Sequence, residues 1–438
     1  MENKNIKKRI IAWILIPVAV ILAFVGGFFV RELFESDNSR VATEIIRMME
    51  EVGYVYDKQT GEPRKITPED IGDALVNGIL DDYAEYFTPK EYGQEETERK
   101  GQYKGVGLSF YDNDSVIDVV VGNSPAYHAG VKAGDKIISA KVGENTVTIE
   151  TPDEFGELVR SVQDGTAITV NLEREGAPVI VELTPSDYVA SYVEYFDSQK
   201  HGFFKTENKE MVFTDTDDGN SSLPSDTAYI SFSSFNGSAF NQMKDALNFM
   251  KKQGRVKLIL DLRNNGGGYM DILLNVASLL IKNQDKKRTV VALEKSKTGT
   301  FEHAFTENRY VGNSEWDIQS ISIMANGGTA SASECLIGAM AYYGQKYQEP
   351  FNLSKLVIDT GYGGKQSTFG KGIMQTTYLL LSGGALKLTT AKIYWPDNTT
   401  CIHDKGIYPR VNGEINGEII YSNIVSSQNA LAKAVEVL

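Results

Sequence analysis

One stretch constrains the fold of this chain more than any other: an apolar run at residues 321–324, a glycine turn, and a helical pattern over residues 335–342. The turn reads Gly327-Gly328-Thr329-Ala330-Ser331-Ala332-Ser333-Glu334. A strand that feeds a helix through a tight turn is the repeating unit of α/β folds, whose ligands bind at the carboxyl ends of the strands. Taken alone, the turn fits close packing of a helix on a sheet as well as it fits an active site.

A serine at the start of a helix is well placed for acyl transfer. The hydroxyl of Ser331 would lie at the positive end of the helix dipole, beside backbone N–H groups that have no partner within the helix. Such donors suit the oxyanion that forms when a nucleophile attacks an acyl group. Ser331 is therefore the candidate nucleophile.

Further strands and helices alternate before this stretch. They are predicted as strands at residues 227–232 and 256–262 and as helices at residues 239–253 and 270–281. The second strand ends in a glycine-rich turn at residues 263–268, which is not a phosphate loop because no Gly-Lys-Ser/Thr follows it. The alternation predicts an α/β sheet.

A nucleophilic serine needs a base, and lysine is the better candidate here. His303 and His403 do not lie in a recognisable Ser-His-Asp signature. Lysine must be neutral to accept a proton, and burial among apolar neighbours lowers its pKa from about 10.4. Lys371 has such neighbours in the sequence, and a strand over residues 371–379 would place Lys371 and Gln375 on one face. A lysine between two glycines is otherwise an ordinary solvated loop residue.

Five stretches, in order, resemble the carboxy-terminal processing peptidases, a family of Ser-Lys proteases with an embedded PDZ domain. They are Asp261-Leu262-Arg263-Asn264-Asn265-Gly266-Gly267-Gly268, Gly328-Thr329-Ala330-Ser331-Ala332-Ser333-Glu334, Thr368-Phe369-Gly370-Lys371-Gly372-Ile373-Met374-Gln375-Thr376, Ala385-Leu386-Lys387-Leu388-Thr389-Thr390-Ala391 and Lys405-Gly406-Ile407-Tyr408-Pro409. The similarity extends from about residue 41 to the C-terminus.

This resemblance implies roles for individual residues. Ser331 would be the nucleophile, Lys371 the general base and Gln375 its orienting partner. The N–H groups of Ala332 and Gly267 would form the oxyanion hole. The implied fold is α/β, a Clp-protease/crotonase-like peptidase core with an inserted PDZ domain, a small N-terminal helical domain and an N-terminal transmembrane helix.

The sequence departs from the family pattern in three places. Thr329 stands where many relatives have serine, and Tyr342 stands where some have aspartate. The separation of Ser331 from Lys371 is also longer than is usual in the family, with the extra residues at 345–364. Because loop length costs little free energy, we expect these residues to form a surface excursion that leaves Lys371 in place.

Residues 101–186 are predicted to form the PDZ domain. The order of strands, together with Ala129-Gly130-Val131-Lys132-Ala133-Gly134-Asp135-Lys136-Ile137, resembles a circularly permuted PDZ domain of bacterial type. The resemblance implies a groove that takes a peptide C-terminus by strand addition, with the carboxylate held by the backbone N–H groups of Gly105, Val106, Gly107 and Leu108. The alternative is a β-rich spacer without a ligand.

The N-terminus predicts a membrane anchor. Residues 10–30 carry no charge, which is long enough to span the hydrocarbon core at about 1.5 Å per residue. Four basic residues precede this run, so residues 1–37 would form a cytoplasmic stub and a single anchor, with the rest of the chain extracytoplasmic. A cleaved signal peptide is the competing interpretation.

Three other segments complete the predicted organisation. Residues 38–100 are expected to be a helical domain, with a helix at 41–52 and a second helix that begins after Thr67. The aromatic stretch at 81–89 is interpreted as part of this packing or as a substrate-facing lid. Residues 187–225 are expected to be a linker, and residues 226–438 the serine peptidase core with its C-terminal helix.

Composition excludes several other functions. The net charge is −14, and no basic patch lies outside the first residues, which argues against nucleic acid as a partner. Two cysteines are too few for a disulfide framework, and Cys335 is expected to be a buried thiol. The four histidines lack metal-ligand spacing, so no metal and no cofactor are predicted.

The sequence therefore predicts a membrane-anchored extracytoplasmic serine endopeptidase that cleaves polypeptides near a free C-terminus. A catalytically silent PDZ scaffold and a Ser-Lys amidase acting on small substrates are the alternatives. The helical segments at both ends fit a homodimer and fit capping of the core equally well, and regulation by another protein is left open.

Overall fold

The computed structural model describes residues 37–51, 62, 64–110, 114–163, 165–207, 210–282, 288–305, 315–408, 414–415, 418–419 and 422–438. The chain divides into two units, residues 1–80 and 81–438. The predicted membrane helix at residues 10–30 lies outside the described residues. None of the helices in the described part is both long and apolar enough to cross a membrane.

Two helices form the described part of the first unit, α1 (Asp37–Glu51) and α2 (Pro68–Ile79). Helix α2 begins where the sequence predicts it. The side chain of Thr67 accepts a hydrogen bond from the backbone N–H of Asp70, and the Asp70 carboxylate accepts one from the N–H of Thr67, which makes a reciprocal capping box.

The second unit begins with β1 (Glu85–Phe87) and α3 (Pro89–Arg99), and continues into a β-rich unit at residues 101–186. The elements that follow α3 are, in order, β2 (Gln102–Gly105), β3 (Leu108–Ser109), β4 (Val119–Val120), α4 (Pro125–His128), β5 (Lys136–Val142), β6 (Asn145–Thr148), α5 (Pro152–Ser161), β7 (Ile168–Arg174), β8 (Ala177–Leu183) and β9 (Ser186–Val189). Strands β6-β5-β7-β8 form an antiparallel sheet, β2 pairs with β9, and β3 pairs with β4.

A buried ion pair fixes the β-rich unit. Asp135 is fully buried, and its carboxylate accepts hydrogen bonds from the N–H of Lys132 at 2.8 Å and from Nε of Arg174 at 2.6 Å. Burial raises the pKa of Asp135, but the bonds from Arg174 and Lys132 outweigh burial and hold the pKa below its ordinary value. The pair ties the Gly134-Asp135 turn to β7.

Replacing Arg174 with methionine is expected to destabilise the β-rich unit by about 3–5 kcal/mol, because Asp135 would remain buried without its partner. Urea-dependent hydrogen exchange in β5 and β7 would measure the loss. Arg160→Met, a change at an exposed arginine on α5, is the matched control. Equal protection from exchange in the two variants would show that the Asp135–Arg174 ion pair does not stabilise the β-rich unit.

The α/β core (residues 192–438) is built on an eight-stranded sheet of order β12-β11-β10-β13-β14-β17-β18-β23. The strands and the first two helices between them are β10 (Val193–Phe196), β11 (His201–Glu207), β12 (Glu210–Thr216), β13 (Thr227–Phe232), α6 (Ala239–Lys252), β14 (Lys257–Asp261), α7 (Met270–Leu280), β17 (Ser320–Asn326), β18 (Leu356–Asp359) and β23 (Asn423–Val425). The pairs from β13 through β23 are parallel.

The linker prediction for residues 187–225 is wrong in its larger part. Strands β10, β11 and β12 pair antiparallel within the main sheet, and β10 pairs with β13. Tyr195 on β10 is fully buried. Strands β10, β11 and β12 are defined by pairing with strands that lie beyond a hairpin or across the sheet. The sequence pattern of residues 187–225 alone therefore did not identify these three strands.

A second sheet carries the later motifs. Its strands are β15 (Thr289–Ser296), β16 (Gly299–Phe305), β19 (Ile373–Leu379) and β20 (Ala385–Tyr394), together with β1. Strand β20 is its centre: β19 pairs along one side, while β1 and β15 pair with the two halves of the other side. Strand β1 thus brings an N-terminal segment into the sheet that follows Lys371.

Residues 345–364 are not the surface excursion that the sequence predicts. Helix α8 (Ala332–Tyr347) continues into them, and β18 follows, with all four of its residues buried between β17 and β23. Phe351 is 1% exposed. The longer spacing from Ser331 to Lys371 therefore contains a buried strand of the sheet, with exposed positions before it and in the turn after Asp359.

The chain ends in a short hairpin and a helix. The hairpin strands are β21 (Glu414–Ile415) and β22 (Glu418–Ile419), and the helix is α9 (Ser427–Glu436). Helix α9 packs on β17 and β18, with Ala430 and Ala434 fully buried. The predicted C-terminal helix is therefore present, and strand β23 directly precedes it.

Candidate active site

The turn between β17 and α8 holds Ser331 in a backbone conformation that residues with a side chain rarely adopt. The φ angle of Ser331 is 55°, and strain of this kind costs about 1–3 kcal/mol. Thr329 fixes the turn, because its buried hydroxyl donates to the carbonyl of Leu262 at 2.7 Å and accepts from the N–H of Asn326 at 2.9 Å. The strained serine is thus held by contacts with the neighbouring strand end.

Gly267 lies directly against this turn. A Cβ atom at Gly267 would be 2.8 Å from Cβ of Ser331 and 2.9 Å from the nitrogen of Ala332, and its φ of 105° also favours glycine. The two predicted oxyanion donors are therefore neighbours. The N–H of Gly267 donates to Oδ1 of Asn265 at 3.0 Å, so in this conformation that donor is engaged.

Glu334 connects the turn that holds Ser331 (the serine turn, residues 327–331) to the loop that holds Lys371 (the lysine loop, residues 368–372). Its carboxylate is fully buried and accepts the N–H of Ser331 and the N–H of Lys371 on one oxygen, each at 2.9 Å. The other oxygen accepts the N–H of Gly370 at 2.9 Å and the hydroxyl of Thr368 at 2.5 Å. Burial raises the pKa of Glu334 to about 7, against the lowering effect of these four hydrogen bonds.

Glu334 has no role among the expectations from the sequence, although a signal for one is present. Ser331-x-x-Glu334 has the spacing of a capping box, in which the third residue of a helix reaches back to the N–H of the residue before it. Because one carboxylate oxygen accepts both N–H groups, Ser331 and Lys371 must lie close together. The structure therefore brings the predicted nucleophile and the predicted base into one site.

Lys371 is partly buried, which suits the role of a base predicted for it. Burial lowers the pKa of Lys371, and the positive charge of Lys387 lowers it further, while Asp81 and Glu85 act in the opposite direction. The amine lies 4.8 Å from the centroid of the Tyr83 ring. A lowered pKa increases the neutral fraction of the amine, which is the form that accepts a proton.

Gln375 does not share a regular strand face with Lys371. Strand β19 begins at Ile373, after the lysine, and its register on β20 shifts between Met374 and Gln375. The side-chain N–H of Gln375 donates to the backbone carbonyl of Tyr83. The face argument for this pair is thus wrong, and the orienting role of Gln375 stays a prediction.

The predicted carboxylate loop of the β-rich unit is a tight turn. Gly105 ends β2, Leu108 begins β3, and the carbonyl of Val106 accepts the N–H of Ala126 at 2.9 Å. A Cβ atom at Gly107 would lie 2.2 Å from Cβ of Ser124, so the turn requires glycine at that position. Peptide binding by this loop stays a prediction.

Other candidate groups have structural partners. Within the described ranges, no three His, Cys, Asp or Glu side chains are grouped as metal ligands would be. His303 on β16 pairs with Glu294 on β15 at 3.0 Å. Cys335 is buried in the core, as predicted, and burial raises the pKa of its thiol to about 12.

Comparison with known proteins gives concordant matches. The profile of peptidase family S41 matches residues 226–412. The "Probable CtpA-like serine protease" of Staphylococcus saprophyticus is 31% identical over 368 residues, which cover 82% of this chain and 64% of that protein. The protein of the same name from Staphylococcus epidermidis is 29% identical over 422 residues, covering 94% of this chain and 75% of that one.

The chain thus spans slightly less than two thirds of the first of these relatives. Among solved structures, the photosystem II D1 C-terminal processing protease superposes with a TM-score of 0.50 and 20% identity, covering 92% of this chain and 97% of that one. At that identity the match concerns the fold alone. The family profile, the two relatives and the shared fold agree, and residues 226–412 of this chain match peptidase family S41.

Proposed function

We propose that this protein is a serine endopeptidase that cleaves polypeptides near their C-terminus, with Ser331 as nucleophile and Lys371 as general base. One observation carries the proposal: the N–H groups of Ser331 and Lys371 donate to the same oxygen of the buried Glu334 carboxylate. The strained φ of Ser331 and the lowered pKa of Lys371 support the two roles.

The chemistry follows from these positions. Neutral Lys371 takes the hydroxyl proton of Ser331 as its oxygen attacks the scissile carbonyl. The N–H of Ala332, at the start of α8, donates to the resulting oxyanion, and Gly267 joins it when its N–H is released from Asn265. The protonated amine then gives its proton to the leaving amine, and water hydrolyses the acyl-enzyme by the same route.

Recognition of the substrate tail is assigned to the β-rich unit as a PDZ domain. Leu108, Phe110, Leu158 and Val159 all pack on its core while remaining partly exposed, which supports an apolar groove beside the Gly105–Leu108 turn. The unit also contacts the catalytic turns, because the side-chain N–H of Asn264 donates to the carbonyl of Asp118 at 3.3 Å. Through this hydrogen bond, binding of a tail in the β-rich unit would affect the position of the turn that contains Gly267.

Membrane anchoring and an extracytoplasmic location are part of the proposal. They rest on the uncharged run at residues 10–30 and on the basic residues that precede it. Anchoring would restrict the enzyme to polypeptides on the outer side of a membrane.

The test uses the full-length chain in detergent and an unfolded protein that ends in small apolar residues. We expect the wild type to cleave it near its free C-terminus, as read by mass spectrometry, and Ser331→Ala to leave it intact. A substrate with an amidated tail should be cleaved more slowly, because the amide has no carboxylate for the Gly105–Leu108 turn.

A fluorophosphonate probe distinguishes an enzyme from a scaffold. Labelling of the wild type but not of Ser331→Ala supports an activated serine. Equal cleavage by both proteins would overturn the assignment of Ser331. Absence of both cleavage and labelling, with retained binding of the free tail, would establish the silent scaffold instead.

A further inference from the structure

The lysine loop is covered by a turn from outside the region that matches the family. Tyr83 lies 143 residues before the start of that match at residue 226. Its ring centroid is 4.8 Å from Nζ of Lys371, and its carbonyl accepts the side-chain N–H of Gln375. One residue therefore contacts both the base and the residue predicted to orient it.

The turn that carries Tyr83 is well defined. The carboxylate of Asp81 accepts the N–H of Tyr83 at 3.1 Å, and the carbonyl of Asp81 accepts the N–H of Ala84 at 3.0 Å. Strand β1 follows and pairs antiparallel with β20, where Glu85 forms an ion pair with Lys387. These contacts fix the ring over the lysine.

Two effects of the ring oppose each other. Its face attracts an ammonium group, which favours the charged amine, and its body excludes water, which favours the neutral amine. The pKa of Lys371 lies below its ordinary value, and burial is the largest cause. The Tyr83 ring, 4.8 Å from the amine, is one of the groups that exclude water from it.

We propose that Tyr83 is a positioning residue of the active site, whose ring keeps the Lys371 amine out of water and whose carbonyl holds Gln375. This inference rests on the proposed function, because it assigns Lys371 as the base. It also means that the matched segment is not a complete site by itself, since the turn at residues 81–84 supplies one wall.

Other charges face the same groups and set the background of any pH profile. Lys387, Asp81 and Glu85 act on Lys371. Asp404, Asp82, Asp81 and Glu334 act on Tyr83, and the ring of His403 lies 6.5 Å from its ring. Burial raises the pKa of the Tyr83 phenol, which favours its neutral form.

The experiment compares Tyr83→Ala, Tyr83→Phe and Tyr86→Ala in the full chain. We expect Tyr83→Ala to raise the pKa of the acidic limb of kcat/KM by about one unit, lowering cleavage at pH 7 about tenfold and restoring it at higher pH. Tyr83→Phe keeps the ring and the carbonyl, so its profile should match the wild type. Tyr86 is a partly buried tyrosine on β1, and Tyr86→Ala controls for damage to the segment.

Each result has a separate meaning. An unshifted limb in Tyr83→Ala, whatever its rate, would overturn the role of the ring, and so would the same shift in Tyr86→Ala. Loss in Tyr83→Phe equal to that in Tyr83→Ala would show that the phenol oxygen acts instead. Wild-type cleavage that survives Ser331→Ala would refute the proposed function itself, independently of Tyr83.

Discussion

Replacement of Lys371 by methionine is expected to lower kcat for tail cleavage by about a millionfold at pH 8, the size of loss that removal of the general base causes in a Ser-His-Asp protease. Methionine preserves much of the length and apolar character of the side chain but removes the amine. The Glu334 contact uses the backbone N–H of residue 371, so it should remain in the variant. The loss would therefore report proton transfer rather than collapse of the loop.

The double variant makes this prediction sharper. In the proposed mechanism Ser331 and Lys371 act as one unit, so Ser331→Ala combined with Lys371→Met should be no slower than either single variant. Additive losses would mean that the lysine contributes to something other than activation of the serine. Rates of peptide cleavage under single-turnover conditions give the comparison without interference from product release.

Lys387→Met is the matched lysine control. The positive charge of Lys387 lowers the pKa of Lys371, so its removal should raise that pKa and move the rise in activity to higher pH. Activity should recover at high pH in this variant and stay low in Lys371→Met. Failure to recover in Lys387→Met would point to a structural role of its ion pair with Glu85.

Local signals in the sequence predicted the elements that hold the serine. Apolar runs followed by glycine turns gave β14, β17 and the start of α8, because strand ends and helix starts depend on nearby residues. The start of α2 after Thr67 was predicted for the same reason. The nucleophile and the glycine against it could therefore be placed from their motifs.

Contacts between distant segments could not be predicted in this way. Strand β18 has a short apolar pattern that a buried strand and an excursion share, and only its pairing with β17 and β23 decides between them. Tyr83 lies hundreds of positions before Lys371, so no local period relates them. The register shift on β19 likewise depends on β20, which is why alternation failed at Gln375.

Glu334 belongs to a local capping motif, but its carboxylate also binds a segment that is distant in the sequence. A capping box accounts for its bond to the N–H of Ser331, but the remaining bonds reach the loop that contains Lys371. These donors come from a segment more than thirty residues later. One carboxylate thus joins the turn that holds Ser331 to the loop that holds Lys371.

Replacement of Glu334 by glutamine is expected to lower kcat for tail cleavage by about a hundredfold or more, because small displacements of catalytic groups have effects of that size. The glutamine amide has one oxygen, so its NH₂ group would face two of the four donors that the carboxylate accepts. Either the serine turn or the lysine loop then moves away. Substrate binding relies on other residues, so KM should change less than kcat.

Glu154→Gln is the matched control for this change. Glu154 accepts the N–H of Thr151 in the capping box of α5, but it lies in the β-rich unit, away from the catalytic turns. We expect it to leave cleavage unchanged. A loss of kcat in Glu154→Gln equal to that in Glu334→Gln would reduce the role of Glu334 to that of an ordinary helix cap.

The pH dependence of stability tests the same contact without any substrate. Burial raises the pKa of Glu334 to about 7 in the folded protein, from an ordinary value of 4.5. Between these values the folded state binds a proton that the unfolded chain has released, so this group makes the free energy of unfolding fall as pH rises from about 4.5 to 7. Glutamine cannot titrate, so in Glu334→Gln the free energy of unfolding should fall less steeply between about pH 4.5 and 7 than in the wild type. A slope equal to that of the wild type would show that the carboxylate is ionised throughout this range, and that its four donors outweigh its burial.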